Sequence, residues 1–320
     1  MKRIALLTSG GDTPAMNASI FSVVRTAKSM GLDVVGVLRG YAGLIEGRME
    51  EMRTKQVENI VGKGGTILKT ARCLEMLTDE GKKKAIDTLD AFRIDALIVV
   101  GGDGSFRGAQ ALTHLGVPAI GLPGTIDNDI AYTDYSIGFD TAINSANAEI
   151  AKIRDTMLSH DRIGVVEIMG RNCGTLALHV GIGSEADYII VPEVDFDVDE
   201  ICESILDRES RGKNTSIIAI SEGAGSSEAL AKYMNANTTK EVRSIVLGYV
   251  QRGGAPSAFD RTLAMRLGAK AVDLAVKGFG GKAVGIRNSQ IVVDDIDDAL
   301  SVPLEFDHTM YEQYAAMTNY

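Results

Sequence analysis

The feature of this sequence that most constrains its fold is a strand, turn and helix unit that recurs with the same turn residues. Short apolar runs typical of buried strands end in Gly-Gly-Asp at residues 10–12 and again at residues 101–103. Each turn leads directly into a segment with helical periodicity, and a third apolar run ends in Pro-Gly at residues 123–124. Repeated units of this kind predict an α/β fold built on a parallel, doubly wound sheet.

A second series of strand and helix units follows the first and predicts a second lobe. Strand-like runs at residues 163–169, 188–191 and 216–221 alternate with helical patterns, and no flexible linker precedes them. We therefore place a lobe boundary near residue 138. In each lobe, helices should cover both faces of a mostly parallel sheet, which gives three layers, αβα.

Three further segments are assigned less directly. A long helix over residues 257–277 and a hairpin of 283–287 with 290–293 follow the second series, and the pattern leaves open which lobe they pack on. Residues 66–73 come after a glycine-rich stretch, and we expect a loop and a short helix there that carry side chains to a site.

Net charge and cysteine content indicate which partners the protein can bind and in which compartment it works. The chain of 320 residues has 33 Lys and Arg against 43 Asp and Glu, a net charge of −10. An acidic surface repels nucleic acids and anionic membranes, so a phosphate site must be locally basic. The three cysteines lie far apart, the four histidines lack metal-ligand spacing, and no apolar run has the length of a membrane span. We expect a cytoplasmic protein with reduced cysteines.

The glycine-rich turns predict phosphate binding, because such turns present backbone N–H groups and the positive end of a helix dipole to anions. Acids beside phosphates repel them unless one acid binds a cation, and Mg²⁺ usually takes one or two carboxylates plus substrate phosphates. Asp103 is therefore the best candidate metal ligand. Asp127 follows Thr125 closely and is the best candidate for a base that removes a hydroxyl proton. The alternative is that residues 123–129 form only a polar turn with Asx hydrogen bonds.

Arginines near glycines are candidate phosphate ligands. Arg171 and Arg252 each stand directly beside glycine. The guanidinium group binds phosphate bidentately and stabilises charge during phosphoryl transfer. For Arg72, Arg162 and Arg243, the sequence pattern alone favours an ordinary surface position.

Five segments occur in a characteristic order: Thr-Ser-Gly-Gly-Asp at 8–12, Gly-Gly-Asp-Gly-Ser at 101–105, Pro-Gly-Thr-Ile-Asp-Asn-Asp at 123–129, Met-Gly-Arg-Asn-Cys-Gly at 169–174 and Gln-Arg-Gly-Gly at 251–254. Together they resemble the bacterial ATP-dependent 6-phosphofructokinase family (phosphofructokinase type A), over essentially the whole chain. The resemblance implies Mg²⁺-dependent transfer of the γ-phosphoryl group of ATP to the 1-hydroxyl of fructose 6-phosphate, a glycolytic reaction that gives fructose 1,6-bisphosphate and ADP. It also implies a homotetramer with a nucleotide-binding lobe (1–138 plus about 251–305) and a sugar-phosphate-binding lobe (139–250 plus about 306–320).

The resemblance also implies residue roles for catalysis and nucleotide binding. Asp127 would be the general base, Asp103 and Asp129 would serve Mg²⁺, and Arg72 and Arg171 would stabilise the transferring phosphoryl group. The implied catalytic set is Asp127, Thr125, Arg171, Arg72, Asp129 and Gly11. The implied nucleotide site is Gly11, Tyr41, Arg72, Cys73, Gly102, Asp103, Gly104 and Ser105.

For the sugar phosphate, the resemblance implies that Arg252 holds the 6-phosphate and that Arg162 and Arg243 reach the neighbouring subunit's site. The implied substrate set is Thr125, Ile126, Asp127, Arg162, Met169, Gly170, Arg171, Glu222, Arg243, Tyr249 and Arg252. Tyr249 stands where the family usually has His. A phenol donates a hydrogen bond but does not become cationic near pH 7, so we expect sugar-phosphate affinity to be tuned here.

The effector site that the resemblance implies is degenerate in this chain. ADP or phosphoenolpyruvate would bind at Phe21, Arg25, Arg154, Glu185, Asp187, Arg211 and Lys213, with Glu185 and Asp187 near a bound Mg²⁺. Phe21, Thr54 and Asn59 replace two usual basic residues and an acid. Because fewer cations bind anions less tightly, we expect weak or altered effector control.

Two glycines indicate whether the phosphoryl donor is ATP or pyrophosphate. Relatives that use pyrophosphate carry Asp and Lys where this chain has Gly104 and Gly124, which leave room for ATP. Two alternatives remain: a lipid or NAD kinase that shares the Gly-Gly-Asp-Gly motif, and a catalytically inactive sugar-phosphate-binding subunit. Intact Asp103, Asp127 and Arg171 argue against the second.

Overall fold

The computed structural model describes residues 1–318, which form two compact units. The first unit comprises Met1–Thr141 and Arg252–Leu304, and the second comprises Ala142–Gln251 with the segment that begins at Glu305. The strands are β1 (Arg3–Ser9), β2 (Asp33–Val37), β3 (Met49–Glu51), β4 (Ala96–Gly101), β5 (Ala119–Pro123), β6 (Ile163–Ile168), β7 (Tyr188–Ile190), β8 (Ser216–Ser221), β9 (Val242–Val246), β10 (Lys282–Arg287) and β11 (Gln290–Asp295).

Helices alternate with these strands along most of the chain. They are α1 (Met16–Ser29), α2 (Gly40–Ile45), α3 (Asp79–Ala91), α4 (Asp103–His114), α5 (Phe139–Ser159), α6 (Thr175–Gly183), α7 (Val198–Ser210), α8 (Ser227–Asn237), α9 (Ala258–Val276), α10 (Ile296–Ser301) and α11 (His308–Thr318). Short 3-10 turns occur at Thr54–Val57, Glu75–Leu77 and Gly248–Gln251. In the described part of the chain, no helix has both the length and the apolar character needed to span a membrane.

The first unit contains a seven-stranded sheet in the order β11-β10-β5-β4-β1-β2-β3. Its central strands β5, β4, β1 and β2 are parallel, while β3 and β11 are antiparallel edge strands. The predicted terminal hairpin is β10–β11, and it joins this sheet through parallel pairing of β10 with β5. The sequence left open which lobe the hairpin packs on, and in the structure it belongs to the first unit.

Hydrophobic clusters cover both faces of this sheet, as an α/β fold requires. Alternate residues of β1 point to opposite faces, so Ile4 and Leu6 pack with α1 and α9, while Ala5 and Leu7 pack with α3 and α4. Every residue of β4 is buried, which explains its unbroken apolar sequence. The second unit repeats the principle with a four-stranded parallel sheet in the order β7-β8-β6-β9.

The region of residues 66–73 differs from the expectation of a short helix. The backbone of residues 66–73 is irregular. A short helix does occur earlier in the chain, as α2. The irregular segment is bound across the end of β1: Thr8 Oγ1 lies 2.9 Å from Thr66 Oγ1, and Thr70 donates to Gly10 O at 2.7 Å. Residues 66–73 form these long-range hydrogen bonds and not those of a helix. Because the partners lie about 60 residues away, the local sequence does not reveal them.

The start of α1 carries backbone strain. Ala15 adopts a left-handed conformation with φ 70° and ψ 5°. Such a conformation costs a residue with a Cβ about 1–2 kcal/mol. The side chain of Ala15 is fully buried in the core, so burial of its methyl group offsets part of that cost.

Candidate active site

Three turns meet at the carboxyl edge of the first sheet. Ser9 of β1 is paired with Gly101 of β4, and Gly101 is paired with Pro123 of β5. We call the segments that follow these three residues, 10–12, 102–105 and 124–125, the glycine turns. The strand register therefore brings together motifs that lie more than 100 residues apart, at the edge where ligands bind in open α/β sheets.

Glycine is needed at these turns for different reasons. A Cβ at Gly124 would lie 3.1 Å from Val100 Cγ1 and 3.3 Å from Gly101 N, so the close packing of β5 on β4 already favours glycine there. A Cβ at Gly104 would meet no described atom within 4 Å. The fold does not require glycine at position 104, so the open space beside it is available to a ligand.

The second glycine turn leads into α4, whose first residue is Asp103. The Asp103 carboxylate forms an ion pair with Arg107 one turn later, at 2.9 Å between Oδ2 and Nε. Tyr41 stabilises the first turn of α4: its ring is buried and its hydroxyl donates a hydrogen bond to Ser105 O at 2.7 Å. Burial raises the pKa of Tyr41 well above its ordinary value, so the phenol stays neutral. The place of Tyr41 in the nucleotide site, which the resemblance implies, remains a prediction.

The third glycine turn carries the candidate base. The side chain of Asp127 is only 2% exposed, and its backbone N–H donates to Thr125 Oγ1 at 3.1 Å. Thr125 lies against the second glycine turn, since a Cβ at Gly102 would be 3.5 Å from Thr125 Cβ. The side chain of Asn128 bonds residues six and eight positions further along the chain, so these hydrogen bonds are not those of a local Asx turn. The short-range bond of this turn is the one from Asp127 N to Thr125 Oγ1.

The first glycine turn is covered by an arginine. A Cβ at Gly11 would lie 2.5 Å from Arg252 Nη1, so glycine at this position makes room for the guanidinium group. The sequence had assigned Arg252 to the sugar 6-phosphate, and the structure places its cation directly beside residues 10–12. Arg72 is exposed on the irregular segment next to this edge, and Cys73 packs partly against the hydrophobic core.

The second unit has its own turn at the carboxyl end of β6. The Glu222 carboxylate accepts hydrogen bonds from Gly170 N at 3.3 Å and Arg171 N at 2.8 Å, and Arg171 has a left-handed φ of 54°. Gln251, fully buried, accepts from Met169 N at 3.2 Å. Glu222 therefore shapes the turn that presents Arg171. Gln251 begins the fifth family segment, but its contact with Met169 was not predicted, because the two residues lie 82 positions apart.

Residues 3–275 match a family model whose description is Phosphofructokinase. The chain belongs to the phosphofructokinase family.

The most similar relatives agree with this assignment. A Clostridium novyi (strain NT) protein named ATP-dependent 6-phosphofructokinase is 54% identical over 312 residues, 98% of each chain. The solved structure of phosphofructokinase from Saccharomyces cerevisiae aligns with a TM-score of 0.88 at 33% identity; it covers 100% of this chain, which spans about half (48%) of the yeast chain. A pyrophosphate-dependent phosphofructokinase from Marinobacter aquaeolei aligns at TM-score 0.86 over 99% of this chain and 91% of its own, and its 21% identity shows the fold alone. The predicted phosphofructokinase-like α/β fold is confirmed.

Two arginines that the family resemblance assigns to a neighbouring subunit's site share one carboxylate in this phosphofructokinase. Glu241 forms an ion pair with Arg162 at 2.6 Å and also contacts Arg243. The hydrogen bond from Arg162 lowers the pKa of the Glu241 carboxyl. A sugar phosphate that binds these arginines must therefore compete with Glu241, which sequence reasoning missed. Tyr249 lies in the 3-10 turn after β9 and is 83% exposed.

The residues that the resemblance assigns to an effector site have partners within the chain. Asp187, 5% exposed, accepts from Arg208 Nη1 at 3.1 Å and Ile217 N at 2.8 Å, and it also pairs with Lys213. A buried carboxylate engaged in this way has to give up an ion pair before it can bind a metal ion. The other cations are similarly occupied: Arg154 donates to Ser184 O and to Glu185 O at 2.9 Å, Arg211 pairs with Asp207 at 2.7 Å, and Arg25 lies 5.9 Å from the Phe21 ring centre.

Proposed function

We propose that this protein transfers the γ-phosphoryl group of ATP to the 1-hydroxyl of fructose 6-phosphate, as an ATP-dependent 6-phosphofructokinase. The observation that carries the proposal is the placement of the buried Asp127, with Thr125, against the second glycine turn. A base belongs where a hydroxyl meets bound phosphates, and the glycine turns provide the phosphate-binding backbone. The 54% identity to a protein named for this activity supports the same reaction.

The reaction needs positioning and charge stabilisation more than covalent chemistry. The Asp127 carboxylate takes the proton of the sugar 1-hydroxyl as its oxygen attacks the γ-phosphorus, and ADP leaves. Gly11 and residues 102–105 hold the nucleotide phosphates, while the guanidinium groups of Arg72 and Arg171 stabilise the charge on the transferring group. In the second unit, Met169, Gly170 and Glu222 form the turn that we assign to the sugar.

Mg²⁺ is the metal that this reaction class uses, and the chain offers ligands for it. Within residues 1–318, no three His, Cys, Asp or Glu side chains cluster so as to hold a metal ion by themselves. Mg²⁺ does not require such a cluster, because substrate phosphates and waters complete its coordination. Asp103 and Asp129, which follow the ends of the paired strands β4 and β5, fit this donor chemistry. When bound, the ion would neutralise phosphate charge.

We also propose a homotetramer in the cytoplasm. Arg162 and Arg243 are the residues that would reach a neighbouring subunit's sugar phosphate. The three cysteines, Cys73, Cys173 and Cys202, lie far apart in the sequence, which fits a reducing compartment.

A coupled assay with defined donors and acceptors tests the reaction itself. ATP and pyrophosphate are each offered with Mg²⁺ and either fructose 6-phosphate, diacylglycerol or NAD. We expect ADP formation only with ATP and fructose 6-phosphate. Lipid or NAD phosphorylation would favour the alternative kinase classes, and binding of fructose 6-phosphate without turnover would favour the inactive subunit.

A carboxylate at position 104 is expected to weaken ATP binding without harm to the fold. Gly104→Asp adds a like charge where the nucleotide phosphates bind, so KM for ATP should rise by about tenfold to a hundredfold, which corresponds to about 1.4–2.8 kcal/mol. Open space at Gly104 and the favourable helix dipole should keep the melting temperature within about 2 °C of wild type. Gly104→Ala, which adds a Cβ without charge, is the matched control. An unchanged KM for ATP in the Asp variant would contradict the placement of the nucleotide.

Effector control is expected to be weak. An anionic effector has to displace the contacts of Arg154, Arg211 and Lys213 within the chain, and Phe21, Thr54 and Asn59 leave the implied site with fewer cations to bind it. Saturation with fructose 6-phosphate should be hyperbolic, and ADP or phosphoenolpyruvate should shift half-saturation by less than about fivefold, the lower end of ordinary allosteric coupling. Strongly sigmoidal kinetics that low ADP converts to hyperbolic would show that these ion pairs yield to an effector.

A further inference from the structure

The side chain between the two acids of the third glycine turn folds back onto the chain. Asn128 has a left-handed φ of 51°, a conformation that Asn tolerates better than most residues. Its Oδ1 accepts a hydrogen bond from Ser136 N at 2.8 Å and lies 3.0 Å from Ser136 Oγ. Its Nδ2 donates to Asp134 O at 3.0 Å. The amide of Asn128 therefore connects the acidic segment to the returning limb of the same loop, residues 133–136.

Ser136 is the centre of this connection. Its side chain is fully buried, and its Oγ lies 2.7 Å from Thr125 O as well as 3.0 Å from Asn128 Oδ1. A hydroxyl has one proton, so Ser136 donates to one of these acceptors at a time. Thr125 and Asn128, which flank Asp127 on its two sides in the sequence, are thus both held by the same residue.

The returning limb is in turn fixed to the sheet. Asp134 N donates to Ile286 O of β10 at 2.8 Å, and Thr133 Oγ1 exchanges hydrogen bonds with the backbone of Ile286 at 3.0 and 3.1 Å. Asp134 also accepts from Asn288 N at 2.7 Å. Because β10 is part of the seven-stranded sheet, Asn128 and Ser136 connect residues 125–129 to a limb that is itself fixed to the sheet.

We propose that Asn128 and Ser136 are positioning residues that hold Asp127 at the geometry required for phosphoryl transfer. This inference rests on the proposed function, in which Asp127 is the base. Reacting groups need to be placed to within a fraction of an ångström, and a displacement of about 1 Å can lower the rate by about 10²-fold. Neither side chain touches the reacting atoms in this proposal; both act through the backbone on either side of Asp127.

Steady-state kinetics of Asn128 variants test the proposal. Asn128→Gly preserves the left-handed backbone and removes the amide, so kcat should fall by about 10- to 100-fold while KM for ATP and fructose 6-phosphate changes little. Asn128→Asp keeps an oxygen acceptor for Ser136 and should recover part of kcat. Ser136→Ala should lower kcat similarly, and the double variant Asn128→Gly with Ser136→Ala should lose less than the product of the two single losses, because the two side chains share one hydrogen bond.

Ser227→Ala is the matched control, because Ser227 is an equally buried serine of the second unit that donates to Glu167 at 2.8 Å. It should lower the melting temperature about as much as Ser136→Ala and leave kcat unchanged. Wild-type kcat in Asn128→Gly, or losses in both Ser variants that track melting temperature alone, would overturn the positioning role. An inactive wild-type protein would instead overturn the proposed function, and the inference with it.

Discussion

Asp127→Ser is expected to lower kcat by about 10²- to 10⁴-fold, the usual contribution of a general base. Ser cannot accept the proton of the sugar 1-hydroxyl at neutral pH, whereas the shorter side chain leaves Thr125 and the glycine turns in place. KM for ATP should therefore stay within a few-fold of wild type. The measurement is a coupled assay with Mg²⁺ and saturating fructose 6-phosphate, in wild type and variant.

Asp127→Asn is the matched control, because the amide keeps the shape of the carboxylate and removes its basicity. Both variants should melt at or above the wild-type temperature, since a buried carboxylate that serves catalysis is often costly to stability. A variant that retains full rate would show that another group takes the proton. A loss of rate accompanied by early unfolding would point to a structural role for Asp127.

The parts of this structure that sequence alone could predict are those in which local pattern and tertiary fold agree. The strands β1, β4 and β5 were predictable because buried parallel strands require unbroken apolar runs, and glycine punctuates their ends. Their register then brings the glycine turns to one edge without further information. The family resemblance rests on these same turns, so the same residues predict both the fold and the candidate base.

Many of the contacts that escaped prediction join residues distant in sequence. Glu222 holds the turn at Arg171 across 51 residues, and Asp187 is committed to Arg208 and Lys213. Tyr41 is a buried support for α4, although its position suggested only a flanking role at the nucleotide. In each case a polar side chain capable of binding a ligand is instead used inside the fold, and only the three-dimensional pairing distinguishes the two uses.

Asp260→Ala is expected to be the most destabilising of these substitutions. Asp260 lies in the first turn of α9 and is fully buried. Its carboxylate accepts hydrogen bonds from Gly138 N at 2.9 Å, Thr141 N at 2.8 Å and Thr141 Oγ1 at 2.5 Å. These donors belong to the amino end of α5, where a carboxylate also interacts favourably with the helix dipole. The acid therefore fixes the point at which the loop that carries Asp127 passes into α5.

Removal of the Asp260 side chain leaves three buried donors without their acceptor, which should cost about 3 kcal/mol or more in the free energy of unfolding. For units of this size the melting temperature should fall by about 5–10 °C. The measurement is thermal unfolding by calorimetry, which also reveals whether the two units melt together. Asp273→Ala is the matched control on the same helix: its pairs with Lys270 and Lys277 lie at the surface, so its loss should cost less than about 1 kcal/mol. Equal melting temperatures for the two variants would mean that the amino end of α5 finds other acceptors, and that Asp260 does not anchor it.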